Sequence, residues 1–390
     1  MKKAFYMMAA AAIALSSCSS EETTDVAKSS AITFRPTVGL NSRGVEMTSD
    51  ALNEMWVTGF YQKADEVYFS DLKYTKEKGS VNTFIPSAPV FWQDGRTYKF
   101  VAISPAKSEW PTGLTITREN VTCENFEPKT DISAQKDMII KAVDANNDQW
   151  GKELELNFKH ILSQIQIKVK NGNENLVYNI KAVRINSVVG KKKLTYSTTT
   201  NTSTWGNIDG VTRNAQYTLT YANPYKLDGK NTTELTLTSA DANVSNGGGA
   251  MLIPQNVTAW DGAKVDDNNA YNGGTYISIY LNVKMASGNK FMYPAGAQGE
   301  LTYGWVAIPV PAINWEEGNK YIYTLDMSTG CGKVDPVDPG ENVNPGGKDP
   351  NVPKDPEKGD NVFGKAIKFT VKVLDWTDKF AGTDDGKLEM

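Results

Sequence analysis

The feature that most constrains this chain is a two-residue alternation of apolar and polar side chains, repeated in many short segments. Glu153-Leu154-Glu155-Leu156-Asn157-Phe158 alternates strictly. Ile165, Ile167 and Val169 alternate with Gln164, Gln166, Lys168 and Lys170. The same pattern recurs at Ile277, Ile279, Leu281 and Val283, at Tyr321, Tyr323 and Leu325, and at Ile367, Phe369, Val371 and Val373. In an extended chain successive side chains point to opposite faces, so each segment reads as a half-buried strand with one face inward. Turn chemistry separates the segments: Asn171-Gly172, Asp209-Gly210, Asp228-Gly229, Asp261-Gly262 and Asn272-Gly273-Gly274. Helical periodicity is scarce. Many short strands at such spacing predict an all-β protein built of sandwiches, and the length allows two domains with real cores.

One segment breaks the pattern. Lys333 to Asp360 is rich in Pro, Gly, Asp, Asn and Lys and lacks aromatics. That composition predicts a linker or projecting loop that buries too little to fold. A strong strand follows it, at 365–376. A tether ahead of a good strand raises the question of where that strand pairs.

The N-terminus carries an address. Lys2 and Lys3 precede an uncharged apolar run, Ala4 to Leu15, which is too short to span a bilayer at about 20 residues per crossing. The run ends in Leu15-Ser16-Ser17-Cys18, which resembles a bacterial lipobox. Residues 1–17 therefore read as a lipoprotein signal peptide, with Cys18 as the lipidated residue. The acidic stretch after it reads as a tether or as an export tag for the outer face of the outer membrane. The two other cysteines, Cys123 and Cys331, make no disulfide framework, and whether they pair is left open.

Charge and motifs exclude several functions. A net charge of −4 leaves no basic footprint for nucleic acid. His160 is the single histidine, is expected to open a strand and has no nucleophile motif near it. It reads as structural. There is no GxSxG, Walker loop, GxGxxG after a strand or HExxH. Glu316-Glu317 reads as an exposed turn rather than a glycosidase pair, and Lys191-Lys192-Lys193 as a charged hairpin tip. No enzyme, metal or cofactor is expected.

Several strings together resemble one family, the fimbrillins, FimA-like subunits of the type V pili of Bacteroidales. These are the lipobox signal, MWVTGFYQ around Phe60 and Tyr61, VFWQDGRTYKFVAISP at Val90 to Pro105, and LNFKHILSQIQIKV at Leu156 to Val169. MLIPQ at Met251 to Gln255, NWEEGNKYIYTL at Asn314 to Leu325, and the Pro/Asp-rich loop followed by FTVKVLDW complete the set. The resemblance implies two transthyretin-like, Greek-key β-sandwiches in series. It implies a surface-exposed lipoprotein of the cell outer membrane that becomes part of a fimbrium supporting adhesion. An Arg-specific protease would remove the anchor and first strand, and other pilus subunits would exchange strands with the opened groove. A host surface protein or glycan is a further class of partner. The alternative is a permanently anchored outer-membrane lipoprotein that binds glycan or serves as a pilus tip or anchor adhesin.

These readings place the elements. Residues 18–43 are the tether and removable first strand, 44–172 the N-terminal sandwich and 173–390 the C-terminal sandwich. Arg35 precedes Pro36, whose ring disfavours cleavage, whereas Arg43 precedes Gly44 in a Gly/Asn/Ser-rich stretch. Cleavage is expected between Arg43 and Gly44, releasing the strand AITFRP. The donor strand is expected to be the terminal one, presenting Ile367, Phe369, Val371 and Val373 on one face.

Overall fold

A computed structural model describes residues 31–38, 51–62, 66–80, 82–229, 234–243, 248–263, 271–288, 290–375 and 387–389. Within them the chain is all-β, with three short 3-10 turns and no α-helix. The first sheet contains β1 (Phe34–Val38), β2 (Glu54–Tyr61), β3 (Val67–Lys76), β4 (Phe84–Pro86), β5 (Tyr98–Ser104), β8 (Ile139–Ala145) and β9 (Leu154–His160). It closes on itself in the order β1-β4-β3-β2-β5-β8-β9, sealed by a parallel pairing of β1 with β9. A small second sheet, β13-β12-β7-β6, packs on its outside. It contains β6 (Thr115–Ile116), β7 (Asn120–Phe126), β12 (Lys192–Ser197) and β13 (Thr202–Gly206).

β5 explains how these two layers hold together. All seven of its residues are buried, because it separates two cores. Tyr98, Phe100 and Ala102 face the barrel interior with Phe34, Tyr74 and Leu156. Val101 and Ile103 face the small sheet with Val121, Cys123, Leu194 and Tyr196. A strand covered on both sides loses polar/apolar alternation, as YKFVAIS shows.

The rest forms a sandwich of two sheets. One has the order β14-β11-β18-β20-β23: β11 (Leu176–Val188), β14 (Ala215–Asp228), β18 (Tyr276–Met285), β20 (Gly304–Pro309) and β23 (Lys333–Val334), with β19 (Phe291–Tyr293) beside β18. The other has the order β15-β10-β22-β24-β25: β10 (Ser163–Lys170), β15 (Leu235–Thr236), β22 (Asn319–Asp326), β24 (Lys368–Asp375) and β25 (Lys387–Glu389). There β16 (Ala250–Leu252) also pairs with β10. A ribbon of β17 (Gln255–Val257) and β21 (Ile313–Trp315) adds Val257 and Trp315 to the core between the sheets. Each such buried side chain stabilises by roughly 1.5–3 kcal/mol relative to exposure.

The two halves do not divide at residue 172. β10 lies before that point yet sits inside the C-terminal sandwich, in a seven-residue parallel register with β22. β12 and β13 lie after it yet pair back with β7 in the N-terminal half. Alternation also misjudged exposure on the polar faces. Gln164, Gln166, Ser278 and Asn282 are all buried. Their strands are central, and loops cover the second face. Asn282 donates to the carbonyls of Glu300 and Thr302, and Gln166 to that of Gly248.

Lys333–Asp360 is the largest departure from the sequence reading. It is not a free linker. Val334 and Asp335 are fully buried, and Val343, Asn344 and Asp355 are nearly so. Composition counts apolar side chains, and this segment is held chiefly by carboxylates and backbone hydrogen bonds instead.

Candidate strand-exchange site

The closing strand of the barrel is built from a strict alternation. In Ile32-Thr33-Phe34-Arg35-Pro36-Thr37-Val38 the odd members point outward, while Ile32, Phe34, Pro36 and Val38 are buried. Phe34 meets Tyr74 edge-on with centroids 4.9 Å apart and Phe100 at 5.5 Å. The register with β9 runs from Phe34 opposite Leu154 to Val38 opposite Phe158. On this side the ladder is continuous, and Thr33 adds to it by accepting from the Leu154 amide at 3.0 Å.

The opposite edge of β1 is held differently. Among the described residues, Phe34 pairs with Phe84 there, and Ala31 bridges to Phe91 just before the strand. The Ile32 amide donates to Val90 at 2.8 Å, Tyr74 donates its hydroxyl to the Ile32 carbonyl at 3.2 Å, and the Asn82 side chain donates to the Pro36 carbonyl. Pro36 lacks an N–H, and its carbonyl points to this sparsely paired side, where no ladder partner is missed. Arg35 stays half exposed, 3.7 Å from Glu153. β1 is thus a strand with one full ladder, one sparsely paired edge held by backbone and side-chain contacts together, and a deeply buried apolar face. Its removal would uncover the edge of β9 and an apolar slot lined by Tyr74, Phe84, Phe100, Leu154, Leu156 and Phe158.

The other expected element, β24, lies in its own sandwich. It pairs antiparallel with β22 over eight residues, Phe369 opposite Leu325, Val371 opposite Tyr323 and Val373 opposite Tyr321. On its far side, among the described residues, it meets the three residues of β25. Val371 is 1% exposed, Ile367 and Phe369 are partly buried against the core, and Val373 is 37% exposed. The expected face is present, but its Val373 end stands in solvent.

Cys18, Arg43, Gly44 and the signal peptide lie outside the described residues. His160 is buried at the end of β9, with Nδ1 2.6 Å from the buried Asp137 carboxylate, so it serves packing between loop and strand. Glu316 is exposed. Glu317 is not: it is half-buried beside Ser203 of β13, and burial raises its carboxyl above the usual range although Ser203 hydrogen bonds oppose this. The three lysines are no hairpin tip. Lys192 opens β12 and donates to Pro254, while Lys191 and Lys193 pair with Glu127 and Glu124. Cys123 and Cys331 are unpaired and buried in different cores, and burial pushes both thiols up. Among the described residues no three metal-ligating side chains converge, and no helix is long and apolar enough to cross a membrane.

Two features escaped the sequence reading. One is an open polar groove of about 890 Å³ between the halves, lined by Glu127, Asp131, Lys191, Gln216, Thr218 and Thr220 among others. The other is the Arg184–Asp335 pair, whose partners lie far apart in sequence and carry no local signature.

The family described as fimbrillin-like matches residues 45–342. Among solved structures, a fimbrial protein from Bacteroides vulgatus ATCC 8482 is similar over 76% of this chain and 95% of its own, with 14% identity and a TM-score of 0.47. A candidate cell adhesion protein from Bacteroides uniformis ATCC 8492 covers 90% of this chain and 99% of its own, with 12% identity and a TM-score of 0.43. No curated protein matches the sequence. With the family match spanning most of its length, this all-β chain belongs to the fimbrillin-like family.

Proposed function

We propose that the chain is a structural subunit of a cell-surface pilus, exported as a lipoprotein lipidated at Cys18, cleaved between Arg43 and Gly44, and polymerised by strand exchange. The observation that carries this reading is β1. It precedes the proposed cleavage point, closes the barrel by a five-residue ladder to β9 and a sparse pairing with β4, and with the residues just before it buries Ile32, Phe34 and Val38 at 0–1% exposure. Cutting after Arg43 severs β1 from the rest of the chain. It is then held by noncovalent contacts alone and a strand of the same alternation is able to replace it. A vacated slot exposes N–H and C=O groups together with apolar surface, the combination that drives β-augmentation. β24 is the proposed donor, and Ile367, Phe369 and Val371 are its anchoring side chains.

The test is direct. Purified uncleaved protein is incubated with an Arg-specific protease, followed by N-terminal sequencing and electron microscopy. A new terminus at Gly44 with SDS-resistant or filamentous polymer is the expected result. Cleavage elsewhere, or cleavage at Gly44 that leaves monomers, overturns the corresponding step.

A further inference from the structure

The segment leading into β24 is pinned at both ends. It leaves β23 and inserts Asp335 beneath the outer face of the sheet. The Asp335 carboxylate, 0% exposed, accepts from Ser278 Oγ at 2.6 Å, Tyr276 OH at 3.2 Å, Arg184 Nη2 at 3.4 Å and the amides of Val337 and Asp338 at 2.9 Å. Arg184 in turn lies over the Trp305 ring, 4.1 Å from its centroid, and reaches Asp338 at 3.3 Å. Further along, Val343 joins the main core, and Asp355 accepts from the amides of Ala295 at 2.8 Å and Asn344 at 3.0 Å.

The returning chain is zipped against the strand it left. The Val334 amide donates to Asp360 at 2.9 Å, Val362 to Gly332 at 3.0 Å and Lys365 to Thr329 at 3.0 Å. Two glycines permit this approach. A Cβ on Gly364, at φ +70°, would lie 2.0 Å from the Thr329 carbonyl oxygen, and one on Gly330 would lie 2.2 Å from that of Lys365. Beyond Lys365 the described chain is held by its ladders to β22 and β25 and by one fully buried side chain, Val371.

We propose that residues 333–365 form a pinned strap that fixes the pivot of β24 at Gly364–Ile367, so that β24 detaches as a unit while the strap stays in the sandwich. The role of that detachment in assembly rests on the strand-exchange reading, whereas the strap and pivot are properties of the monomer. A buried charge with five donors is costly to unpair, and that holds the strap. β24 has only a three-residue partner on its far side among the described residues and only one fully buried side chain, Val371, and that leaves β24 the weaker unit. The pivot limits the reach of the arm through Asp375 to about 35 Å, from about 3.3 Å per extended residue. A free linker in place of the strap would add about 110 Å by the same measure, so the strap holds neighbouring subunits at close, fixed spacing.

Hydrogen exchange read by mass spectrometry on the uncleaved full chain tests this. Peptides covering Val337–Val362 are expected to exchange more slowly than peptides within Lys368–Asp375. Equal or reversed order overturns the proposal. Asp335→Asn is expected to accelerate exchange in the strap by about ten- to a hundredfold, the range for neutralising a charged acceptor of buried hydrogen bonds. Ser278→Ala, which removes one donor, is expected to give a smaller acceleration in the same peptides. No acceleration in either variant overturns the pin. A Thr324→Cys/Thr370→Cys disulfide, placed at register partners of β22 and β24, separates the two ideas. Polymer formed by the oxidised, cleaved variant refutes donation by β24 and leaves the exchange result standing.

Discussion

Phe34→Ala measures how much of the barrel depends on its closing strand. Phe34 is 0% exposed and packs edge-on against Tyr74 and Phe100. Truncating a buried Phe to Ala costs about 3–5 kcal/mol through lost transfer energy and the cavity left behind. Two aromatic contacts at about 0.5–1.5 kcal/mol each fall within that loss. The neighbouring Arg35 is the control, because it points outward and its contact with Glu153 at 3.7 Å is worth at most about 1 kcal/mol. The assay is urea unfolding of the uncleaved protein, followed by tryptophan fluorescence and far-UV circular dichroism so that unfolding of either half is seen. With a slope of about 2 kcal/mol per molar, Phe34→Ala lowers the midpoint of the N-terminal transition by roughly 1.5–2.5 M, and Arg35→Ala by less than about 0.5 M. The larger loss for Arg35→Ala, or a shift below about 0.5 M for Phe34→Ala, refutes the placement of β1 and with it the slot.

Two further outcomes are expected. Phe369→Asp/Val371→Asp leaves secretion intact but abolishes polymer after cleavage, seen by electron microscopy; normal polymer from the secreted variant removes support for β24 as donor. Metabolic labelling with an alkynyl fatty acid marks the wild type and not Cys18→Ala, and equal labelling of both ends the lipoprotein reading.

Strand identity was legible locally. The alternation at Glu153–Phe158 became β9, that at Ile165–Val169 lies in β10, and those at Ile277–Val283, Tyr321–Leu325 and Phe369–Val373 lie in β18, β22 and β24. In each, the apolar members face a core with the exception of Val373. This follows from the pleat, which assigns faces from nearest neighbours alone. The fold class and the fimbrillin resemblance were likewise within reach of the sequence, and the family match agrees with them.

Partner choice was not legible, because a strand's pattern says which face is buried and not which strand lies beside it. β10 pairs with β22, β12 returns to β7 and β1 lies parallel to β9, all across long stretches of chain. Only the assembled sheets decide that Gln164, Ser278 and Asn282 lie under covering loops. The same reason explains Lys333–Asp360. Its composition lacks the apolar area that ordinarily offsets chain entropy. Order there comes instead from one carboxylate, Asp335, meeting Arg184, Ser278 and Tyr276, three donors supplied by two distant strands. The sequence alone determined strands, faces and family; the tertiary structure decided neighbours, and neighbours turned a linker into a strap.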